Sequence, residues 1–373
     1  VFLSAGEPSG DVIASEIVSH VRALAKGREV EFEGIGAAKL RQSGAKIVFD
    51  SSSWGAIGWI EVLRQVFSGL RGYFQACKVL NLGCPGLLIL IDCGVVNLRI
   101  AKVGRKAGWR VIYVNPPGSW RRDRQGKDLP GLTDKIVTPF PWSAEILRKM
   151  GADAHWFGHP IKQLIRESSG DITRGDTIAI LPGSRKAEVE QLLPVIASAI
   201  GDDERTLEFA VAPSFSPEQM QSRWRILCPN RKNDRFIAND TYGVLKRARA
   251  GIICSGTATL EAALCGCPFV VVYRVSKLIE IESYIIRVVP DFISQPNILM
   301  QRPIVRELLQ SLATPERIRE SLNQVLEEGE YRSVQIAAFE ELNDFLGSST
   351  ALTETAKLII QELDSLFQKE APV

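Results

Sequence analysis

The feature that most constrains this chain is the stretch from Cys254 to Pro268, CSGTATLEAALCGCP, which reads as a strand end, a tight turn, one helix and a stop. Gly251, Ile252, Ile253 and Cys254 make a short apolar run suited to a buried strand. Ala258, Leu260, Ala262, Ala263 and Leu264 continue at helical density until Gly266 and Pro268 close the element. Such a junction aims unpaired backbone N–H groups at whatever lies in front of the helix, and its N-terminus favours an anion. Gly256 removes the side chain where a ligand would approach, and Ser255 and Thr257 add hydroxyl donors. Glu261 lies one turn after Thr257 on the same face. A carboxylate there repels a phosphate and suits the two hydroxyls of a ribose. For this segment alone, a capped core helix with an exposed Glu is the equal alternative.

The same strand, turn and helix plan recurs along the chain. Val1 to Ser4 is a short strand feeding the loop Ala5 to Asp11, and Val12 to Ala25 has helical apolar spacing. The loop is not the G-x-G-x-x-G fingerprint, so a dinucleotide site is not supported by pattern. Glu7 falls at the carboxyl end of the first strand, where open α/β sheets place ligands; alone, it reads as a solvated loop acid. Val30 to Gly36 and Lys46 to Phe49 are further strand candidates, with a short helix from Ala37 to Ser43 between them. Leu87 to Ile91 is the most apolar run of the first half, and Asp92 ends it. Partial burial there would lift its carboxyl toward that of a working base. His159, between Gly158 and Pro160, suits a structural hinge better than a general base.

Ser168 to Asp176 is the first polar stretch long enough for a linker, and the pattern restarts after it. Thr177 to Leu181 is a strand, Pro182 to Arg185 its turn, and Ala187 to Ile200 a helix. Gly183, Ser184 and Arg185 at a helix N-terminus suit a diphosphate, with two N–H donors and a guanidinium that keeps its charge. Gln295-Pro-Asn297 reads as a turn, Thr314 to Phe345 as one or two helices, and Ala351 to Leu366 as a final helix. That last helix has the length to reach the other domain or a second subunit. The boundaries expected are 1–168, 169–346 and 347–373, giving two parallel α/β domains and a crossing helix.

Composition excludes several classes. With 45 basic against 43 acidic residues the net charge is +2, so no general polyanion affinity and no nucleic-acid partner are expected. Seven cysteines and three histidines, with only Cys265 and Cys267 closely spaced, point to reduced cytosolic thiols and no metal site. No run approaches the roughly 18 apolar residues of a membrane span, and the N-terminus reads as a strand. Past Trp54, the residues Ile60, Leu63, Phe67, Leu70 and Phe74 recur at three and four, opposite Arg64, Arg71 and Lys78. By pattern this stripe faces a core; the other reading is a membrane-surface helix.

Two similar α/β domains facing across a cleft, with anion turns on the C-terminal one, describe the GT-B architecture. AGEPSGD (5–11), IGWIEVL (57–63), GHP (158–160), LPGSR (181–185), SGTATLE (255–261) and QPNIL (295–299) resemble, in order and spacing, the lipid-A-disaccharide synthase family. The resemblance implies inverting, metal-independent and cofactor-free transfer of 2,3-diacylglucosamine from UDP to 2,3-diacylglucosamine 1-phosphate. It also implies a homodimer with exchanged C-terminal segments, docked on the cytoplasmic face of an inner membrane through the Trp54 to Phe74 region. By position, Asp92 matches the proposed base and Glu7 a second acid. Arg185 matches the diphosphate arginine, Ser255, Gly256 and Thr257 the phosphate turn, Glu261 the ribose ligand, and Asn297 a polar contact of the cleft.

The acceptor half departs from the family pattern. Where the family reads I-D-x-P-D-F-N, this chain has Ile91-Asp92-Cys93-Gly94-Val95-Val96-Asn97. The S-x-W-A-W-R stretch survives only as Ser119-Trp120-Arg121-Arg122, and the Glu of P-F-E is Pro141. A paralogue with another glycolipid acceptor or weakened activity therefore stays open, as does a UDP-binding protein without catalysis. A UDP-sugar 2-epimerase shares the architecture but needs acids and a histidine that are not supplied at matching positions.

Overall fold

A computed structural model describes residues 1–55, 59–168, 172–274 and 291–370. They form two compact units, Val1–Gln163 with Leu346–Val373, and Leu164–Phe345.

The first unit is built on strands β1 (Phe2–Ala5), β2 (Glu33–Gly36), β3 (Lys46–Asp50), β4 (Leu87–Ile91), β5 (Arg110–Val114), β6 (Lys135–Thr138) and β7 (Ala154–Trp156). All are parallel, in the order β3-β2-β1-β4-β5-β6-β7. β1 and β4 are buried along their whole length, which is why they read as unbroken apolar runs rather than alternating ones. Helices α1 (Pro8–Leu24), α2 (Ala38–Gln42), α3 (Trp59–Leu82), α4 (Gly94–Lys106), α5 (Leu129–Leu132), α6 (Pro141–Lys149) and α7 (Pro160–Glu167) follow the strands. The core joins Phe2, Leu88, Leu90, Val111 and Tyr113 of the sheet to Ala76 and Leu80 of α3 and Ile100 of α4.

The second unit repeats the plan with β8 (Thr177–Leu181), β9 (Leu207–Val211), β10 (Arg235–Ala238), β11 (Ala248–Cys254), β12 (Phe269–Tyr273) and β13 (Glu307–Leu309). Its parallel order is β10-β9-β8-β11-β12-β13. Its helices are α8 (Lys186–Ile200), α9 (Pro217–Leu227), α10 (Thr241–Arg247), α11 (Thr257–Leu264), α12 (Gln295–Met300), α13 (Pro315–Leu326) and α14 (Glu330–Phe345). The sequence anticipates neither α12, expected as a turn, nor β13, whose three residues are too few to show a period.

The chain then returns to the first unit as α15 (Ala351–Glu370), which packs along α1. Gly158 makes this return possible. Its φ is +100°, and a Cβ there would lie 2.1 Å from the Ser348 carbonyl oxygen. His159 N donates to Leu346 O at 3.0 Å, and Gln163 Oε1 accepts from Leu352 N and Thr353 N at 2.7 and 3.1 Å.

One expectation needs correction. By pattern the α3 stripe faces a core, yet its Leu70 is 39% and its Phe74 64% exposed. The inward face is instead Gly69, Gly72, Ala76 and Leu80. Gly72 packs so closely that a Cβ would lie 2.6 Å from Trp54 Cζ2 and 3.0 Å from Phe49 Cδ1. Hydrophobic periodicity finds large apolar side chains, and here the packed face is made of small ones. Ile57 and the side chains of Ile60, Leu63 and Phe67 lie outside the described residues.

Candidate active site

In each sheet the strand order reverses direction once, between β1 and β4 in the first and between β8 and β11 in the second. At such a switch point the loops leaving two neighbouring strands diverge and open a crevice at their carboxyl ends. Glu7 and Asp92 follow β1 and β4, which run side by side with Ala5 opposite Ile91. The turns at Gly183 to Arg185 and Ser255 to Thr257 follow β8 and β11, with Leu181 opposite Ile253.

In the first unit Glu7 is exposed and caps the start of α1 in extended conformation, its carbonyl accepting from Asp11 N at 2.9 Å. Asp92 and Cys93 both take left-handed conformations, φ +50° and +39°, a strained pair of non-glycine residues. The Asp92 carbonyl is held by Tyr113 Oη at 2.8 Å and Asn97 Nδ2 at 3.1 Å. Asn97 Nδ2 also reaches Ser4 O and Ile91 O, and its Oδ1 accepts from Ser4 Oγ at 2.6 Å, so one buried amide ties β1, β4 and α4 together. The Asp92 carboxylate lies against α1, where a Cβ on Gly10 would be 3.3 Å from Oδ2. Burial, reinforced by the nearby Glu7 charge, raises its carboxyl to about 7. That is the range in which a carboxylate accepts a proton from a hydroxyl and gives it up again near neutrality.

Asp11, in the same loop motif, has a different role. It is buried and accepts from Ala37 N, Lys39 N and Leu40 N at 2.6, 2.9 and 3.3 Å, capping α2. His159 is buried beside the Phe140 ring, and its Nδ1 accepts from Ile161 N at 3.3 Å. Burial pushes it down to about 3, leaving a neutral structural imidazole.

In the second unit Gly183 has φ +111°, and Ser184 and Arg185 lead into α8. The N–H groups of Ser184 and Arg185 both donate to Glu188 Oε2 at 3.2 Å, and Arg185 Nη1 to Glu188 Oε1 at 2.7 Å. From sequence Glu188 reads, with Glu190, only as a first-turn acid that the helix dipole favours, which marks any helix start. At the second turn, Gly256 has φ +144° with open space on its Cβ side, and Gly256 and Thr257 are exposed. Ser255 Oγ donates to Ile293 O at 2.9 Å, which shapes the turn. Thr259, also unanticipated, is buried and bridges Gly256 O at 2.7 Å to Gln295 N at 3.2 Å. Glu261 sits one turn into α11. Burial raises its carboxyl, partly offset by the Tyr242 hydroxyl donating to Oε1 at 3.2 Å.

Asn297, expected as a polar contact of the cleft, is corrected by the structure. It is 1% exposed and its amide is saturated. Oδ1 accepts from Ile304 N and Val305 N at 2.8 and 2.9 Å, and Nδ2 donates to Val305 O and Glu307 Oε1 at 2.9 and 2.8 Å. Glu307 also accepts from Ser294 N at 2.9 Å and Ser294 Oγ at 2.6 Å. The pair fixes the loop before α12, leaving the Asn297 amide no capacity for a ligand.

The sequence model for the family described as Lipid-A-disaccharide synthetase matches residues 1–359. The chain belongs to this family. It is 31% identical to a lipid-A-disaccharide synthase of Myxococcus xanthus (strain DK1622), over 97% of each chain. Among solved structures it is similar to a calicheamicin glycosyltransferase, at TM-score 0.60 and 14% identity over 100% of this chain and 98% of that one. It is also similar to a UDP-GlcNAc 2-epimerase from Neisseria meningitidis, at TM-score 0.58 and 11% identity over 96% and 99%. At those identities the likeness shows the fold, GT-B, and nothing finer.

In the first unit this chain departs from the family pattern at Gly94 to Val96, next to Asp92, and at Pro141. Gly94 starts α4 against Pro117, where a Cβ would be 2.6 Å from two ring carbons, and Val95 is exposed. Pro141 occupies the first turn of α6, a position that tolerates proline; Trp142 stacks on Phe140 at 4.6 Å, and the Arg122 guanidinium lies 4.3 Å from the Trp142 ring centroid.

Proposed function

We propose that this chain is an inverting hexosyltransferase that moves 2,3-diacylglucosamine from UDP to the 6-hydroxyl of 2,3-diacylglucosamine 1-phosphate. The observation that carries the reading is Asp92, a carboxyl raised to about 7 at the switch point of the first sheet beside Glu7. In this mechanism Asp92 takes the proton of the acceptor hydroxyl as its oxygen bonds to the sugar C1. The C1–O bond to UDP breaks with its electron pair on the leaving diphosphate. Arg185 and the N–H groups of the two turns meet that charge, and Glu261 holds the ribose. The fixed donors supply the stabilisation at the leaving group. Peripheral attachment to a bilayer is assigned to the face of α3 that carries Leu70 and Phe74; among the described residues no helix is long and apolar enough to cross a membrane.

Incubating purified protein with UDP-diacylglucosamine, with and without the monosaccharide phosphate, and weighing the products tests this. A disaccharide phosphate plus one UDP is expected, and Asp92→Ala should lower turnover by about a thousandfold with UDP affinity within a few-fold. Unchanged turnover in Asp92→Ala removes it as the base. Incorporation of solvent deuterium at C2 of the UDP-sugar, with no acceptor product, would instead favour the epimerase. The replaced residues at Cys93 to Val96 favour a second reading, another glycolipid acceptor, which product would form only when that acceptor is supplied.

A further inference from the structure

Three of the donors that the proposed function gives to a diphosphate are already engaged by a carboxylate of the chain itself. Glu188, 6% exposed in the first turn of α8, takes Ser184 N and Arg185 N on one oxygen and the Arg185 guanidinium on the other. The turn is shaped around it, since a Cβ on Gly183 would lie 2.6 Å from Glu188 Oε2 and 2.8 Å from its Cβ. In an ordinary capping box the N3 carboxylate accepts from the N-cap N–H while the N-cap side chain accepts from the N3 N–H. It does not require the arginine to be drawn onto the same acid, nor the acid to be buried.

We propose that Glu188 is a built-in stand-in for the phosphate. The inference rests on reading Gly183 to Arg185 as the diphosphate turn. Between turnovers Glu188 holds the arginine and the two N–H groups aimed at one point, where water would otherwise solvate them singly. Two anions at hydrogen-bonding distance from the same donors repel, so a nucleoside diphosphate must displace the carboxylate to bind. After transfer the carboxylate returns and helps expel UDP. Glu188 is thus a positioning residue that weakens product binding and speeds release.

Titration calorimetry of UDP and of uridine into the full-length protein, Glu188→Gln and Arg185→Ala tests this. Gln keeps an oxygen for the helix start and loses the charge. Glu188→Gln should bind UDP at least about tenfold more tightly, with uridine affinity unchanged. A merely structural glutamate would move both ligands together. UDP affinity equal to or below wild type in Glu188→Gln, with Arg185→Ala losing UDP, overturns the stand-in and leaves the diphosphate turn standing. Wild-type UDP affinity in Arg185→Ala overturns both. If Glu188→Gln does not fold, Glu188→Asp, which draws the charge back by one methylene, should tighten UDP over uridine by a few-fold, and no change in that ratio overturns the proposal.

Discussion

Two acids of the first unit, Asp11 and Asp92, lie at the same sheet edge in opposite settings. Asp11 spends its oxygens on three backbone N–H groups at the start of α2, those of Ala37, Lys39 and Leu40. No hydrogen bond reaches the Asp92 carboxylate among the described residues, so burial acts on it unopposed. Raising an acid from 3.8 to about 7 means that the fold holds the proton more tightly than the unfolded chain does. The group therefore destabilises progressively as pH rises from about 4 to about 7, and by a constant amount above that. Asp92→Asn should raise the melting temperature at pH 8 and leave it nearly unchanged at pH 4; a difference independent of pH would show that the carboxyl is not perturbed. Asp92 and Glu7 were legible because an acid ending an apolar run, or following the first strand, marks a strand's carboxyl end. Glu188, Asn297 and Glu307 were not: their roles depend on which backbone groups the fold brings to them, and Asn297 and Glu307 meet only because α12 and β13 place them together.

At the scale of elements, the alternation of strand, turn and helix was readable because parallel strands buried on both faces are continuous apolar runs. Leu87 to Ile91 and Thr177 to Leu181 have the bounds expected of them. Elements without such a run escaped notice, as α12 and β13 did. Helix α3 departs for the reverse reason, Leu70 and Phe74 pointing outward while Gly69, Gly72 and Ala76 pack inward. Exposed Leu70 and Phe74 beside Arg71 and Lys78 fit an anionic lipid surface. Phe74→Glu should therefore reduce co-sedimentation with vesicles containing phosphatidylglycerol several-fold while leaving the melting temperature within about 1 °C. Equal co-sedimentation would assign membrane attachment to another surface.

For the whole molecule, the spacing of motifs set two Rossmann-like units, and the boundary near residue 168 falls at 163 by compactness. The sequence could not show where α15 goes, since a single amphipathic helix fits many apolar surfaces. It packs on α1 of its own chain, with Arg28 paired to Asp364 and Arg110 to Glu362. A homodimer with exchanged C-terminal segments, which the family resemblance implies, would make that same packing between subunits. Sedimentation velocity at micromolar concentration should show a species near twice the 41.2 kDa chain mass, and a monomer alone would refute it.

The return of residues 346–370 past Gly158 also orders the birth of the protein. The second unit lies wholly within the stretch between the two crossings, so every residue it needs has been synthesised before α15 emerges. The first unit begins earlier and is completed later, because α1 waits for a helix encoded some 330 residues downstream. Until then a nascent chain carries one finished domain and one with an apolar flank still open to a chaperone, or to the tail of a neighbouring copy.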